Sequence, residues 1–137
     1  MSAIDTAAAR PVGRTSTIIG WVLSGLAIAF LVLDGGMKLV PLEVVTTTMV
    51  ELGYPPELSR GLGVLILACT VLYAIPRTSV LGAVLLTGLL GGAVATHLRI
   101  GSPVLSHLLF GVYLGLFVWG GLYLRDARLR AIFPFRR

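Results

Sequence analysis

Between Arg14 and Asp34 the chain reads Thr15-Ser-Thr-Ile-Ile-Gly-Trp-Val-Leu-Ser-Gly-Leu-Ala-Ile-Ala-Phe-Leu-Val-Leu33, nineteen residues without a charge. As an α-helix at 1.5 Å per residue this run is about 28 Å long, close to the thickness of bilayer hydrocarbon. Charged residues cut the rest of the sequence in the same way. Gly61–Pro76 lies between Arg60 and Arg77, Thr78–Leu98 between Arg77 and Arg99, and Ile100–Leu124 between Arg99 and Arg125. The second run is short, but starting its helix at Pro55 or Pro56 restores the length, because proline is tolerated in a first turn. A span needs roughly 17–25 residues, so four spans fit and a fifth does not.

Composition agrees. The chain is 56% hydrophobic and 12% charged, with a mean hydropathy of +0.95. A soluble domain carries about 25% charged residues to meet water. The net charge of +5 comes from arginines between apolar runs and at the C-terminus. An anionic membrane surface explains these better than nucleic acid does, so no nucleic-acid partner is expected. Cys69 is the only cysteine, which excludes an intramolecular disulfide and a CxxC pair. Its apolar surroundings predict a buried thiol.

Lys and Arg counts set the orientation. Arg10, Arg14, Arg77, Arg125, Arg128, Arg130, Arg136 and Arg137 fall on one side, and Lys38, Arg60 and Arg99 on the other. The positive-inside rule puts both termini in the cytoplasm. The expected fold is all-α, an integral membrane four-helix up-down bundle. Residues 1–14 form a cytoplasmic tail, spans run over about 15–37, 56–76, 78–98 and 103–124, and 125–137 form a basic cytoplasmic tail. The first run is read as a retained span, because no small-x-small cleavage site precedes Asp34. Pro76-Arg77-Thr78 and Gly101-Ser102-Pro103 are tight connections that make neighbours antiparallel. The first connection holds an amphipathic stretch at about 41–52, in which Leu42, Val45, Met49 and Leu52 share a face. It reads as a short helix at the outer interface or folded onto the bundle, or more sharply as a gating lid.

Glycines and other small residues recur in spans three and four: Gly88, Gly91 and Gly92, the ridge Ala83-Thr87-Gly91-Ala95, and Gly111 with Gly115. In lipid such ridges let backbones approach, either within the bundle or across a homo-oligomer seam.

Membrane-level polar groups gather at one end. Asp34 and Lys38 are four residues apart at the end of span one, His97 and Arg99 end span three, His107 lies one turn into span four, and Arg60 begins span two. Ionisable groups at membrane depth are expensive unless paired or wetted, so they mark candidate sites. One expectation is a polar pocket with Asp34, His97 and His107 in acid–base roles. Lys38, Arg99, Arg60 and Tyr113 would be its anchors or walls. The structural alternatives are an Asp34–Lys38 pair that snorkels, arginines that anchor the interface, and histidines that satisfy neighbouring helices. Two histidines can also ligate haem, but no spacing here requires haem or a metal. Trp21, Trp119, Tyr73 and Tyr123 are expected at interfacial or lipid-facing positions.

Several stretches together resemble the DoxX-like family of small bacterial four-helix membrane proteins. They are Phe30-Leu-Val-Leu-Asp-Gly-Gly-Met-Lys-Leu39, Leu52-Gly-Tyr-Pro-Pro56, Gly63-Val-Leu and Cys69-Thr-Val-Leu-Tyr-Ala-Ile-Pro-Arg77. Leu90-Gly-Gly-Ala-Val-Ala-Thr-His-Leu-Arg99 is the most specific, followed by Ser106-His107 and Trp119-Gly-Gly-Leu-Tyr-Leu-Arg-Asp126. The resemblance covers roughly residues 15–134. It departs at Ile66, where family members commonly carry glutamate, and at Leu89, where tyrosine is frequent. The resemblance implies a bacterial inner-membrane location and a link to quinone-dependent oxidation. The chain would then be an accessory or anchor subunit of a membrane or soluble oxidoreductase system, with quinone as the associated cofactor. It has no flavin or nucleotide fingerprint to move electrons by itself. A self-contained enzyme acting on a lipophilic small molecule, and an oligomeric transporter or structural protein, are the competing functions.

Overall fold

The computed structural model describes residues 13–40 and 42–134. Most of the N-terminal tail with Arg10, the expected helix-starting Pro41, and Arg136 and Arg137 lie outside the described residues. Those described are helical, with no strand. Helix α1 is Arg14–Leu39, α2 Glu43–Glu51, α3 Ser59–Ala74, α4 Ser79–Ile100, α5 Phe110–Arg125 and α6 Ala127–Ile132. A 3₁₀ turn, Pro56–Leu58, leads into α3, and a π turn, Val104–Leu108, leads into α5. With these turns included, four helices are long and apolar enough to cross a membrane: Arg14–Leu39, Pro56–Ala74, Ser79–Ile100 and Val104–Arg125.

The four long helices form a ring in which α1 packs on α3 and α5, and α4 packs on the other side of both. Glycine makes each seam close. A Cβ on Gly20 would meet the Gly121 carbonyl of α5 at 2.7 Å, and one on Gly35 would meet Leu67 Cγ of α3 at 2.8 Å. One on Gly82 would meet the Tyr73 Cα of α3 at 2.5 Å, and one on Gly111 would meet the Leu90 carbonyl of α4 at 3.1 Å. Apolar burial gains little within lipid, so this backbone approach supplies dispersion contacts that a hydrophobic driving force cannot. The expected small-residue ridges divide accordingly. Ala83 is buried and Gly111 is in the α4–α5 seam, whereas a Cβ on Gly88, Gly91 or Gly92 would have nothing within 4 Å.

Tyr73 is not lipid-facing, which corrects the sequence expectation. It is 0% exposed, its hydroxyl lies 2.7 Å from Ser24 Oγ, and it donates to the Val118 carbonyl at 2.7 Å. Arg125 Nε donates to the same Ser24 oxygen at 3.2 Å, and the guanidinium lies 4.0 Å over the Trp21 ring. These groups form a buried polar chain at the end of the bundle opposite the histidines. Arg130 closes that end by donating to the carbonyls of Tyr123 and Leu124 and to Ser16 Oγ. Asp126 caps α6 through the Arg128 and Leu129 amides.

Candidate polar cavity

At the other end the ring and α2 border a partly open cavity of about 590 Å³. Asp34, Lys38, His97 and His107, taken from three different membrane-spanning segments, all line it. Each is placed by a local feature of the sequence. Asp34 and Lys38 sit four apart on α1, so their side chains meet on one face and pair at 2.5 Å. His97 stands in the last turn of α4, which ends at Gly101 with φ +72. Only glycine takes that left-handed conformation without strain. The chain reversal brings Ser102 Oγ to 2.9 Å from His97 Nδ1.

His107 is placed by the π turn. The amides of Leu108 and Leu109 reach back five residues, to Pro103 and Val104. Pro103 has no amide of its own and opens the turn. Widening by one residue shifts the phase of everything after it. The His107 ring thereby stands edge to face with His97, centroids 5.9 Å apart, while Ser106 Oγ lies 2.8 Å from His107 Nδ1. Each imidazole has its Nδ1 tied to a serine, which orients the ring and leaves Nε2 for other partners. Among the described residues no three His, Cys, Asp or Glu side chains gather as a metal-ligand set.

Three expected pocket residues do not line this cavity. Tyr113 is 42% exposed and donates to the Leu105 carbonyl. It is two residues from the seam residue Gly111, about 200° round the helix, and so projects away from the bundle. Arg99 is likewise two residues from His97. It donates to the Leu52 carbonyl at 2.7 Å, at the C-terminal end of α2. A cation there satisfies a free carbonyl and complements the helix dipole. Arg60 lines a smaller pocket with Lys38, Glu57 and Thr46.

The sequence left α2 open between the outer interface, the bundle and a lid, and the structure sets it against the cavity. Val45, Thr48 and Met49 contribute to the cavity wall, and Met49 is buried. The helix is fixed at its C-terminal end by Arg99 and by a 2.8 Å hydrogen bond between the Tyr54 hydroxyl and Thr96 Oγ1. Gly53, φ +82, makes the turn between those two contacts. The amphipathic pattern over 41–52 indicated a helix with one apolar face. It carried no signal for which surface that face covers.

Four membrane-length helices define a multi-pass membrane protein, with a largely apolar cavity at one end that a few polar groups line. A family model described as the DoxX-like family matches residues 22–121, and the chain belongs to that family. No curated protein and no solved structure matches it. Ile66 and Leu89, the two departures from the resemblance, both lie in the cavity wall.

Proposed function

We propose that this protein is a bacterial inner-membrane subunit that binds a quinone-type lipophilic ring in its cavity and serves a membrane-associated oxidoreductase. The observation that carries it is the convergence of Asp34, Lys38, His97 and His107 on one largely apolar cavity. Lipophilic rings with carbonyl or hydroxyl oxygens need apolar walls and a few fixed polar groups to orient them. The quinone supplies redox capacity when bound. The chain supplies orientation and proton handling. The Asp34 carboxylate, held in place by the Lys38 ammonium, is positioned to accept a proton. His97 and His107 have Nε2 positions to donate to, or accept from, a ring oxygen.

The same proposal places both termini in the cytoplasm and the His97 end outward, in an up-down bundle. What supports this is the excess of arginine at the Arg125 end and the pairing of chain segments at the seams. Ser59, at the start of α3, donates to the Lys38 carbonyl near the end of α1, while Ser16, near the start of α1, donates to the Leu124 carbonyl near the end of α5.

The direct test is equilibrium binding of decyl-benzoquinone to the protein in nanodiscs. The double variant His97→Ala/His107→Ala, which removes the imidazoles able to donate to a quinone oxygen, should weaken binding by about tenfold or more, and Asp34→Asn, which removes a carboxylate that only a quinol hydroxyl can donate to, should weaken binding of the reduced decyl compound by about tenfold. Binding unchanged in both variants would sink the assignment.

A further inference from the structure

Three of the four seams around the cavity are closed at its depth. Phe30 and Phe110 pack across α1 and α5 with ring centroids 4.8 Å apart. Gly35 and Gly63 bring α1 and α3 into backbone contact, and Leu90 and Val94 of α4 pack on Gly111 of α5. The α3–α4 seam differs. It is tight toward the Arg125 end, where Gly82 meets Tyr73 and Ser79 Oγ donates to the Tyr73 carbonyl at 2.7 Å. Further along α4, Gly88 and Gly92 line the cavity and are also exposed on the bundle surface. Neither has any atom within 4 Å of where a Cβ would stand. Phe30 and Phe110 also line the cavity and are exposed, but their rings fill the seam between them; Gly88 and Gly92 bring no side chain, and the gap they leave is a mouth.

The depth of this mouth is informative. Gly92 lies eight residues before Ile100, the last residue of α4. At 1.5 Å per residue this is about 12 Å inside the helix end, among the lipid tails rather than at the headgroups. The neighbouring wall is apolar, with Ile66 from α3 and Leu89 from α4. A solute that enters here comes from hydrocarbon, and a part of it left in the mouth meets only apolar side chains.

We propose that Gly88 and Gly92 form a lateral portal, and that the ligand it admits is an amphiphile with a slender hydrocarbon tail. Its polar ring lies among Asp34, His97 and His107, and its tail passes out between α3 and α4 into the bilayer. The glycines determine specificity because any side chain at either position projects into the tail's path. This rests on the quinone-binding function proposed above.

The test compares decyl-benzoquinone with a tail-less dimethyl-benzoquinone, each binding to nanodisc-embedded wild type, Gly88→Leu and Gly92→Leu. Both positions are open, so the leucines have room to stand without moving backbone. The expected result is that both variants lose the decyl compound by about tenfold and keep the tail-less one within about twofold, since a misfit of one methylene in an apolar site is worth roughly tenfold or more. Equal losses of both compounds, or an undiminished affinity for the decyl compound, would overturn the portal while leaving the cavity as a binding site. Failure of wild type to bind either compound would overturn the underlying function and the portal with it. A decyl compound with a photoreactive group at its tail gives an independent readout that needs no variant. Labelling should fall on peptides containing Ile66 or Leu89, and labelling confined to the Phe30 and Phe110 peptides would place the tail in the wrong seam.

Discussion

Arg125 can only donate hydrogen bonds, and the Val118 carbonyl can only accept them. Ser24 and Tyr73 lie between these two, so the direction of the chain is fixed from Arg125 Nε to Ser24 Oγ to Tyr73 Oη to Val118 O. Ser24 and Tyr73 are both 0% exposed, and water is not at hand to replace a lost partner. Tyr73→Phe leaves the Ser24 hydroxyl proton without its acceptor, and should lower stability by about 1–3 kcal/mol. The measurement is the thermal midpoint of the detergent-solubilised protein, with Tyr113→Phe, an exposed tyrosine, as the comparison that should hardly move. Glycines divide as sharply. A Cβ at Gly82 meets the backbone of Tyr73, which cannot yield as a flexible side chain would. Gly82→Ala should therefore destabilise by on the order of 1–3 kcal/mol. Gly91→Ala, with nothing within 4 Å, should be neutral or raise the midpoint slightly through helix propensity. At this scale the Asp34–Lys38 pair was legible because four-residue spacing on a helix fixes proximity. Tyr73 was not, because an aromatic near the end of a span suits either an interface or a core, and only its neighbours on other helices distinguish the two.

Among the elements, α2 is the one held by few bonds. Nine residues are too short to be a stable helix alone, so its order depends on packing and on the fixings at its end. These are Arg99 to Leu52 and Tyr54 to Thr96. Removing both, in Arg99→Leu/Tyr54→Phe, should speed amide exchange over 43–51 by about tenfold or more, at roughly 1 kcal/mol per hydrogen bond. Exchange in α1 and α5 should stay as it is; a uniform acceleration across all helices would show that the two residues hold the bundle rather than α2. The π turn at Val104–Leu108 is the second element that matters for the site. The sequence shows a proline and a histidine four residues on, which predicts an ordinary first turn. Wider hydrogen bonding is a response to packing, and no local propensity encodes it.

For the molecule as a whole, the orientation prediction can be checked by labelling. Cys69 is buried, so Cys69→Ser removes the native thiol and single cysteines can then be introduced at the connections. Cysteine at Ser102 should react with an impermeant maleimide added from outside intact cells, and cysteine at Arg77 only after the membrane is broken. Reaction at Arg77 alone from outside would reverse the proposed topology, and reaction at both positions from outside would abolish it. Much at this scale was legible in advance. Four charge-free runs of membrane length, bounded by arginine, admit few arrangements, because every backbone polar group in hydrocarbon must be satisfied within its own helix.

What the sequence determined by itself was the solvent: apolar runs of this length cannot be covered by so few charges, and hydrogen bonding in lipid then makes each one a helix. It also determined that the ionisable groups Asp34, Lys38, His97 and His107 share one end, since each sits near the same boundary of its span. Only the tertiary structure decided which of the polar residues meet. Inward or outward direction depends on how each helix is rotated about its axis, and rotation is set by contacts between helices. A residue two places from a seam glycine, as Tyr113 is from Gly111, ends on the opposite face, and nothing in the order of residues marks which face has a neighbour.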